Sequence, residues 1–369
     1  MPEQSLTVRE IIRYLEQWAP PQYQESYDNS GLLTGSPDMA VSSVLITLDC
    51  LESVVDEAVE KNANLIIAHH PIIFKGLPRL TGANYVERTV IKAIRNGIAI
   101  YAIHTNLDNV VSGVNRKICE RLGLINTRVL VPKRQTLGKL VTFIPSTHTD
   151  EVLNALHEAG AGNIGNYANC SFRVDGTGTF RPLEGADPFL GKRNEQEYVN
   201  ETRVELIFPL VDEGKVLAAL RDSHPYEEIA YYITILSNEN QEVGSGMIGN
   251  LPDGMEPMAF LQSLKNSMEA KVVRYTRPPD RLIKTVAVCG GAGSFLLKKA
   301  IQAGADAYVS ADFKYHEFFD AEGKIMVADI GHYETEVFTK ELIREVLMKK
   351  FPTFAINFSG TVTNPISYI

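Results

Sequence analysis

"VLITLDCLESVVDEAVEKNANLIIAHH", residues 44–70, holds an apolar run, a stretch of helical periodicity and a second apolar run that ends on two adjacent histidines. Apolar strands separated by a helix-length segment are the signature of a βαβ unit with parallel strands. The pattern continues outward through "YVERTVIKAIRNG", "IAIYAIHTNLD" and "GVNRKICERLG" to Leu124. It returns late in the chain as "LIKTVAVCGGAG", "SFLLKKAIQAG", "DAYVSADFKY", "KIMVADIGHYETE" and "VFTKELIREVLMKKF", with "FAINFS" as a last short strand. "ANLIIAHHPIIF" aligns weakly with "ADAYVSADFKYH", and "IAIYAIHTNLD" with "KIMVADIGHYE". The expectation is an α/β fold with a duplicated βαβ core built on parallel sheets.

At 369 residues the chain exceeds the size of one ordinary domain. From Val131 to Asn238 its character changes, reading strand "LGKLVTFIP", helix "DEVLNALHEAG", hairpin "YANCSFRVDGTGTFRPL", strand "TRVELIFPL", helix "EGKVLAALRDSH" and strand "EIAYYITIL". That order, βαββαβ, predicts a ferredoxin-like α+β insertion. Within it "DGTGTF" suits a turn better than a strand interior. "PLEGADPFLGKRNEQEYVNE" is long, polar and aperiodic, as functional or mobile loops are. The expected division is residues 1–130 and 240–369 as two halves of one core, with residues 131–239 inserted between them.

Composition excludes several classes. With 44% hydrophobic and 22% charged residues the chain is ordinary for a globular protein, and no apolar stretch approaches the roughly 20 residues that span a bilayer. The opening "MPEQSLTVREIIRYLEQW" reads as an amphipathic helix, without the basic and apolar regions of a signal peptide. Cys50, Cys119, Cys170 and Cys289 form no C-x-x-C pair and suit reduced thiols in a cytoplasmic protein. A net charge of -9 without a basic cluster disfavours nucleic acid as a partner.

The chemistry concentrates at strand ends, where open parallel sheets gather ligands. His69 and His70 follow "LIIA", His104 and Asp108 follow "IAIYAI", and His332 and Glu336 follow "IMVADI". Imidazole and carboxylate together are ligands for zinc, manganese or iron. Pro71 enforces an extended conformation on His70 and stops the strand. His332 and Glu336, four apart, share one face if a helix begins after Gly331, and a carboxylate such as Glu336 has two oxygens with which to bridge two ions. Each motif alone has a plainer reading: a partly buried histidine beside a solvated one, or a surface hydrogen bond. Their joint placement favours a metal site. His104 is open to three roles: orienting a ligand, contacting substrate or carrying a proton; a satisfied core histidine is a fourth reading. "GGAGS", residues 290–294, either cradles a phosphate or makes a tight turn.

"YDNSGLLTG", "AHHPIIFKG", "IHTNLDNV" with "GVN", and "DIGHYETE", in that order, resemble the NIF-three-like family, also described as GTP cyclohydrolase I type 2 homologues. The resemblance spans both ends of the chain, and the middle segment resembles the PII-like insertion of longer bacterial members. It implies an α/β core with a dinuclear metal centre, two divalent ions per subunit, and assembly into a hexameric ring. By motif, His69, Asp108 and Glu336 would hold one ion; His70, His332 and the shared Glu336 would hold the other. Two functions follow. One is a metal-dependent hydrolase, in its specific form opening the guanine ring of GTP with release of formate, with His104 in a catalytic role. The other is a non-catalytic scaffold or sensor that acts through its ring and its PII-like insertion.

Overall fold

The computed structural model describes residues 6–369; the first five residues of the opening amphipathic stretch lie outside that range. The helix itself runs Val8–Trp18 and starts on a capping box, in which Thr7 accepts from the Glu10 N–H and the Glu10 side chain accepts from Thr7. Two compact units form: the chain up to Pro132 together with Glu242–Ile369, and Lys133–Gln241.

The first unit is built on two sheets. One is ordered Gly31–Thr34, Ala99–Ala102, Leu65–Ala68, Val44–Thr47, Ile356–Phe358. The other is ordered Arg274–Tyr275, Met326–Asp329, Ala307–Ala311, Ile283–Ala292, Glu239–Met255, Ile125–Arg134. In each, three consecutive strands of the chain lie side by side and parallel; both crossovers of the first sheet are α-helical, whereas in the second a 3-10 helix, Tyr315–Ala321, joins Ala307–Ala311 to Met326–Asp329. The central strands Val44–Thr47, Leu65–Ala68, Ala99–Ala102 and Met326–Asp329 are buried at every position. Burial on both faces is why they read as unbroken apolar runs without alternation. The sheets are not parallel throughout: Gly31–Thr34, Glu239–Met255 and Arg274–Tyr275 pair antiparallel at the margins.

Helix Glu52–Glu60 turns Val54, Val55 and Ala58 inward onto Leu45, Ile66 and Ile100, which form one apolar cluster. Truncating a buried aliphatic side chain such as Ile66 to alanine costs about 2–5 kcal/mol. Helix Val114–Arg121 of the first half packs against strand Ile283–Ala292 of the second, which joins the two sheets into one unit.

In the second unit, helices Thr149–Glu158 and Glu213–Ser223 interleave with four antiparallel strands ordered Phe172–Phe180, Glu197–Pro209, Leu137–Pro145, Tyr231–Leu236. Leu140, Ile144, Val204, Leu206 and Phe208 meet Val152, Leu156, Val216 and Leu220 in a single core. One expectation is overturned here. "DGTGTF" is strand interior, not a turn: Phe172–Phe180 pairs without interruption with Glu197–Glu205. The physical reason is close approach, because a Cβ on Gly178 would stand 2.0 Å from Glu201 Oε2. Glycine serves there by leaving room for a carboxylate.

Candidate metal centre

The parallel strands of the first unit deliver their histidines directly. His69 and His70 follow Leu65–Ala68 while their backbone N–H groups still bond Thr47 and Leu48 of the neighbouring chain segment, at 3.2 and 3.0 Å. His69 is fully buried, and its Nδ1–H donates to the Ile103 carbonyl at 2.8 Å. That bond fixes the tautomer and leaves the lone pair on Nε2. Gly331, at φ +98°, turns the chain so that helix His332–Glu336 starts at once and both side chains point to one place. Asn115 ties the halves at the site, donating to the Asp108 carbonyl and accepting from the Gly290 N–H, each at 3.0 Å.

Glu336 is the hub. Its Oε2 lies 2.9 Å from His70 Nε2 and 3.0 Å from His332 Nε2, while Oε1 lies 3.9 Å from His69 Nε2. Asp108 Oδ1 stands 3.6 Å from the same His69 nitrogen. The ligand atoms of His69, Asp108 and Glu336 fall within 4.8 Å of one another, as do those of His70, His332 and Glu336, and those of His69, His70 and His104. His69 Nε2 and Asp108 Oδ1 are buried without a hydrogen-bond partner. A lone pair and a carboxylate oxygen that face each other with no donor between them are costly unless a cation fills the gap. The donor set therefore fits a divalent ion.

Each outer imidazole is held from behind by a carboxylate that sequence reading did not single out. Asp49 meets His70 Nδ1 at 2.8 Å, Asp312 meets His332 Nδ1 at 2.7 Å, and Asp28 meets His104 Nδ1 at 2.8 Å. Burial raises the Asp28 carboxyl, but hydrogen bonds from His104, Thr105 and Ser30 outweigh it and hold the group well below the usual carboxylate range. The visible signal was an aspartate in "LITLD", "YDNSG" and "VSAD", beside or after a strand. Carboxylate behind imidazole is the common way to orient a metal-binding histidine.

Charge at the centre is tightly shared. Burial lowers both His70 and His332, yet the Glu336 charge and the supporting aspartates dominate, raising them to about 10 and about 11. Glu336 is pushed up by burial and then driven well below its ordinary value by those two imidazoles. Asp108 is raised to about 7, by burial first and by the Glu336 charge next.

The glycine-rich "GGAGS" serves this site too. A Cβ on Gly291, at φ +61°, would stand 2.4 Å from Glu336 Oε1, and only six residues of helix, Leu297–Gln302, follow the segment. Gly291 makes room for Glu336 near the end of strand Ile283–Ala292. The centre lies in a cavity of about 710 Å³ whose walls include Tyr27, Phe74, Phe295 and Tyr333. Among the described residues, no lysine or arginine lines it.

The profile of the family described as Duf34/NIF3 (NGG1p interacting factor 3) matches residues 6–365, a span that contains every residue of the centre. The chain belongs to this family. Among Duf34/NIF3 relatives, a "GTP cyclohydrolase 1 type 2 homolog" of Halalkalibacterium halodurans is 40% identical over 97% of this chain and 98% of its own length. A protein of the same name from Bacillus subtilis is 39% identical over 99% of both chains. The crystal structure of a Bacillus cereus protein related to NIF3 superposes with a TM-score of 0.88, at 38% identity, covering 100% of each chain. Among the described residues of this Duf34/NIF3 chain, no helix is long and apolar enough to cross a membrane.

Proposed function

We propose that the chain is a metal-dependent hydrolase whose centre takes two divalent ions, zinc first and manganese or iron as alternatives. His69, Asp108 and Glu336 would hold one ion, His70, His332 and Glu336 the other. The observation that carries this reading is the buried, unpartnered pair His69 Nε2 and Asp108 Oδ1 beside Glu336, at the wall of an open cavity. When bound, such ions supply Lewis acidity to an electrophilic centre and to the water that attacks it.

The chain's own groups do the rest. Asp49 and Asp312 hold the outer imidazoles in place. Asp28 occupies His104 Nδ1, which leaves Nε2 of this cavity-lining residue to pass a proton or to contact substrate. The aromatic walls suit a planar ring. The relatives' printed name supports guanine-ring opening with release of formate as the specific reaction. A triphosphate, however, meets no lysine or arginine among the described residues that line this cavity. Assembly into a hexameric ring and a cytoplasmic location complete the proposal.

Metal analysis of the purified protein, followed by a turnover screen over nucleotides, cyclic amides and phosphoesters, tests it. The expected result is two ions per chain and chelator-sensitive hydrolysis of at least one class. Full metallation with silence on GTP removes the cyclohydrolase form, and silence across the panel leaves the scaffold or sensor reading.

A further inference from the structure

A second cavity, of about 700 Å³, lies within the Lys133–Gln241 unit and is independent of the metal centre. Its floor is the strand Phe172–Phe180. In register, Val174 faces Arg203 and Gly176 faces Glu201, residues that alternate with the core positions Thr202 and Val204, so this face is turned away from the two helices. A Cβ placed on Gly176 meets nothing within 4 Å, whereas one on Gly178 would collide with the Glu201 carboxylate. The two glycines thus leave open space at one point and seat a carboxylate at the next.

Glu201 is only 8% exposed. Its Oε1 accepts from the Tyr226 hydroxyl at 2.9 Å, and no hydrogen bond reaches Oε2 among the described residues. Burial, reinforced by Glu201, pushes the Tyr226 phenol upward, so it remains a donor. Aromatic rings surround this carboxylate: Phe180 and Phe189 lie 5.7 and 6.4 Å from Tyr226 between centroids, and Phe143 pairs with Tyr232 at 6.0 Å. The connection between Phe180 and Glu197 supplies Leu183, Pro188 and Phe189 to the walls. It is tied down where the Asp187 N–H donates to Glu227 at 3.0 Å and the Lys192 N–H to Glu197 at 3.1 Å. Four carboxylates line the cavity against two guanidinium groups, and one of those, Arg203, is already paired with Glu205 at 2.6 Å.

Rings that offer apolar faces around a buried carboxylate with a free oxygen define a narrow ligand chemistry. We propose that this cavity binds a planar aromatic small molecule bearing a cationic nitrogen donor, its ring between the aromatic walls and its N–H groups on Glu201 Oε2.

Benzamidine is the probe, titrated into the full chain with calorimetry and ligand-detected NMR, with benzoate as the anionic control. Benzamidine is expected to bind at least tenfold more tightly than benzoate. Glu201→Gln and Gly176→Leu should each weaken it at least tenfold, with circular dichroism and metal content unchanged. The leucine fills the floor from a position where nothing stands in its way, so a folding failure in one variant does not remove the other. Equal binding of benzoate, or benzamidine affinity untouched by both variants, overturns the proposal. So does sedimentation showing that Gly176→Leu separates an oligomer while benzamidine binds nowhere, because the face is then an interface between copies.

Discussion

His70 Nε2 stands 3.3 Å from His332 Nε2, and both nitrogens also reach Glu336 Oε2. The Glu336 charge and the supporting aspartates raise the two imidazoles to about 10 and about 11, so both favour their protonated forms. Coordination needs them neutral, so loading this position must expel about two protons per ion. Affinity should therefore climb as pH rises toward about 10 and fall as pH drops, because protonation at these nitrogens competes directly with the metal. Calorimetry in buffers of different ionisation enthalpy measures the release. A binding heat that is the same in every buffer would show that no proton leaves.

Glu336 belongs to both candidate ligand sets, so in the proposed two-ion centre its charge would offset both ions. Glu336→Gln should strip the two together, with residual content below about a tenth of wild type, as expected when the shared anion between two dications is lost. Elemental analysis after gel filtration gives the answer. Retention of one full equivalent would mean that the carboxylate serves a single ion.

Asp312 contacts the centre at His332, whose Nδ1 lies 2.7 Å from its carboxylate. Asp312→Asn keeps the shape and removes the charge that favours a firmly oriented imidazole, and the expected cost is about 10–100-fold in metal affinity. Competition against a chromogenic chelator reads it. An unchanged affinity would reduce Asp312 to a surface neighbour.

His104→Ala separates chemistry from metal binding. If the ring carries a proton for the reaction, turnover should fall about 10²–10⁴-fold while metal content stays near wild type. Joint loss of metal and activity would place His104 among the ligands, a role its closeness to His69 and His70 makes testable.

Residues 133–241 should be removable. Pro132 and Gly244 are already in close contact, since a Cβ on Gly244 would meet Pro132 Cα at 2.8 Å and the Val131 carbonyl at 2.2 Å. A linker of a few glycines bridges that gap without stretching the first unit. Cooperative thermal unfolding and retained metal are the expected outcomes; an insoluble product would make the excised unit part of the core.

What was legible in the sequence follows from which residues carry a local signal. Leu65–Ala68 and Ala99–Ala102 are buried on both faces and so read as unbroken apolar runs. His332 and Glu336 lie one helical turn apart, a spacing that the order of residues displays by itself. Asp49 and Asp312 were not legible as partners, because an aspartate at a strand end looks the same whether it caps a turn or holds an imidazole. Gly178 misled for a related reason. Local propensity reads glycine as a turn, whereas the deciding contact, with Glu201, comes from the neighbouring strand.

The shared carboxylate also sets a timetable. Glu336 is 266 residues beyond His70, so at about 5–20 residues per second a ribosome needs roughly 15–50 s to supply it after the first histidines. Throughout that interval the early half of the pocket exists without the anion that unites it, and the Lys133–Gln241 unit is made in the meantime. Completion of the ligand set is therefore an event of the nearly finished polypeptide, and an ion offered earlier would meet only half a site.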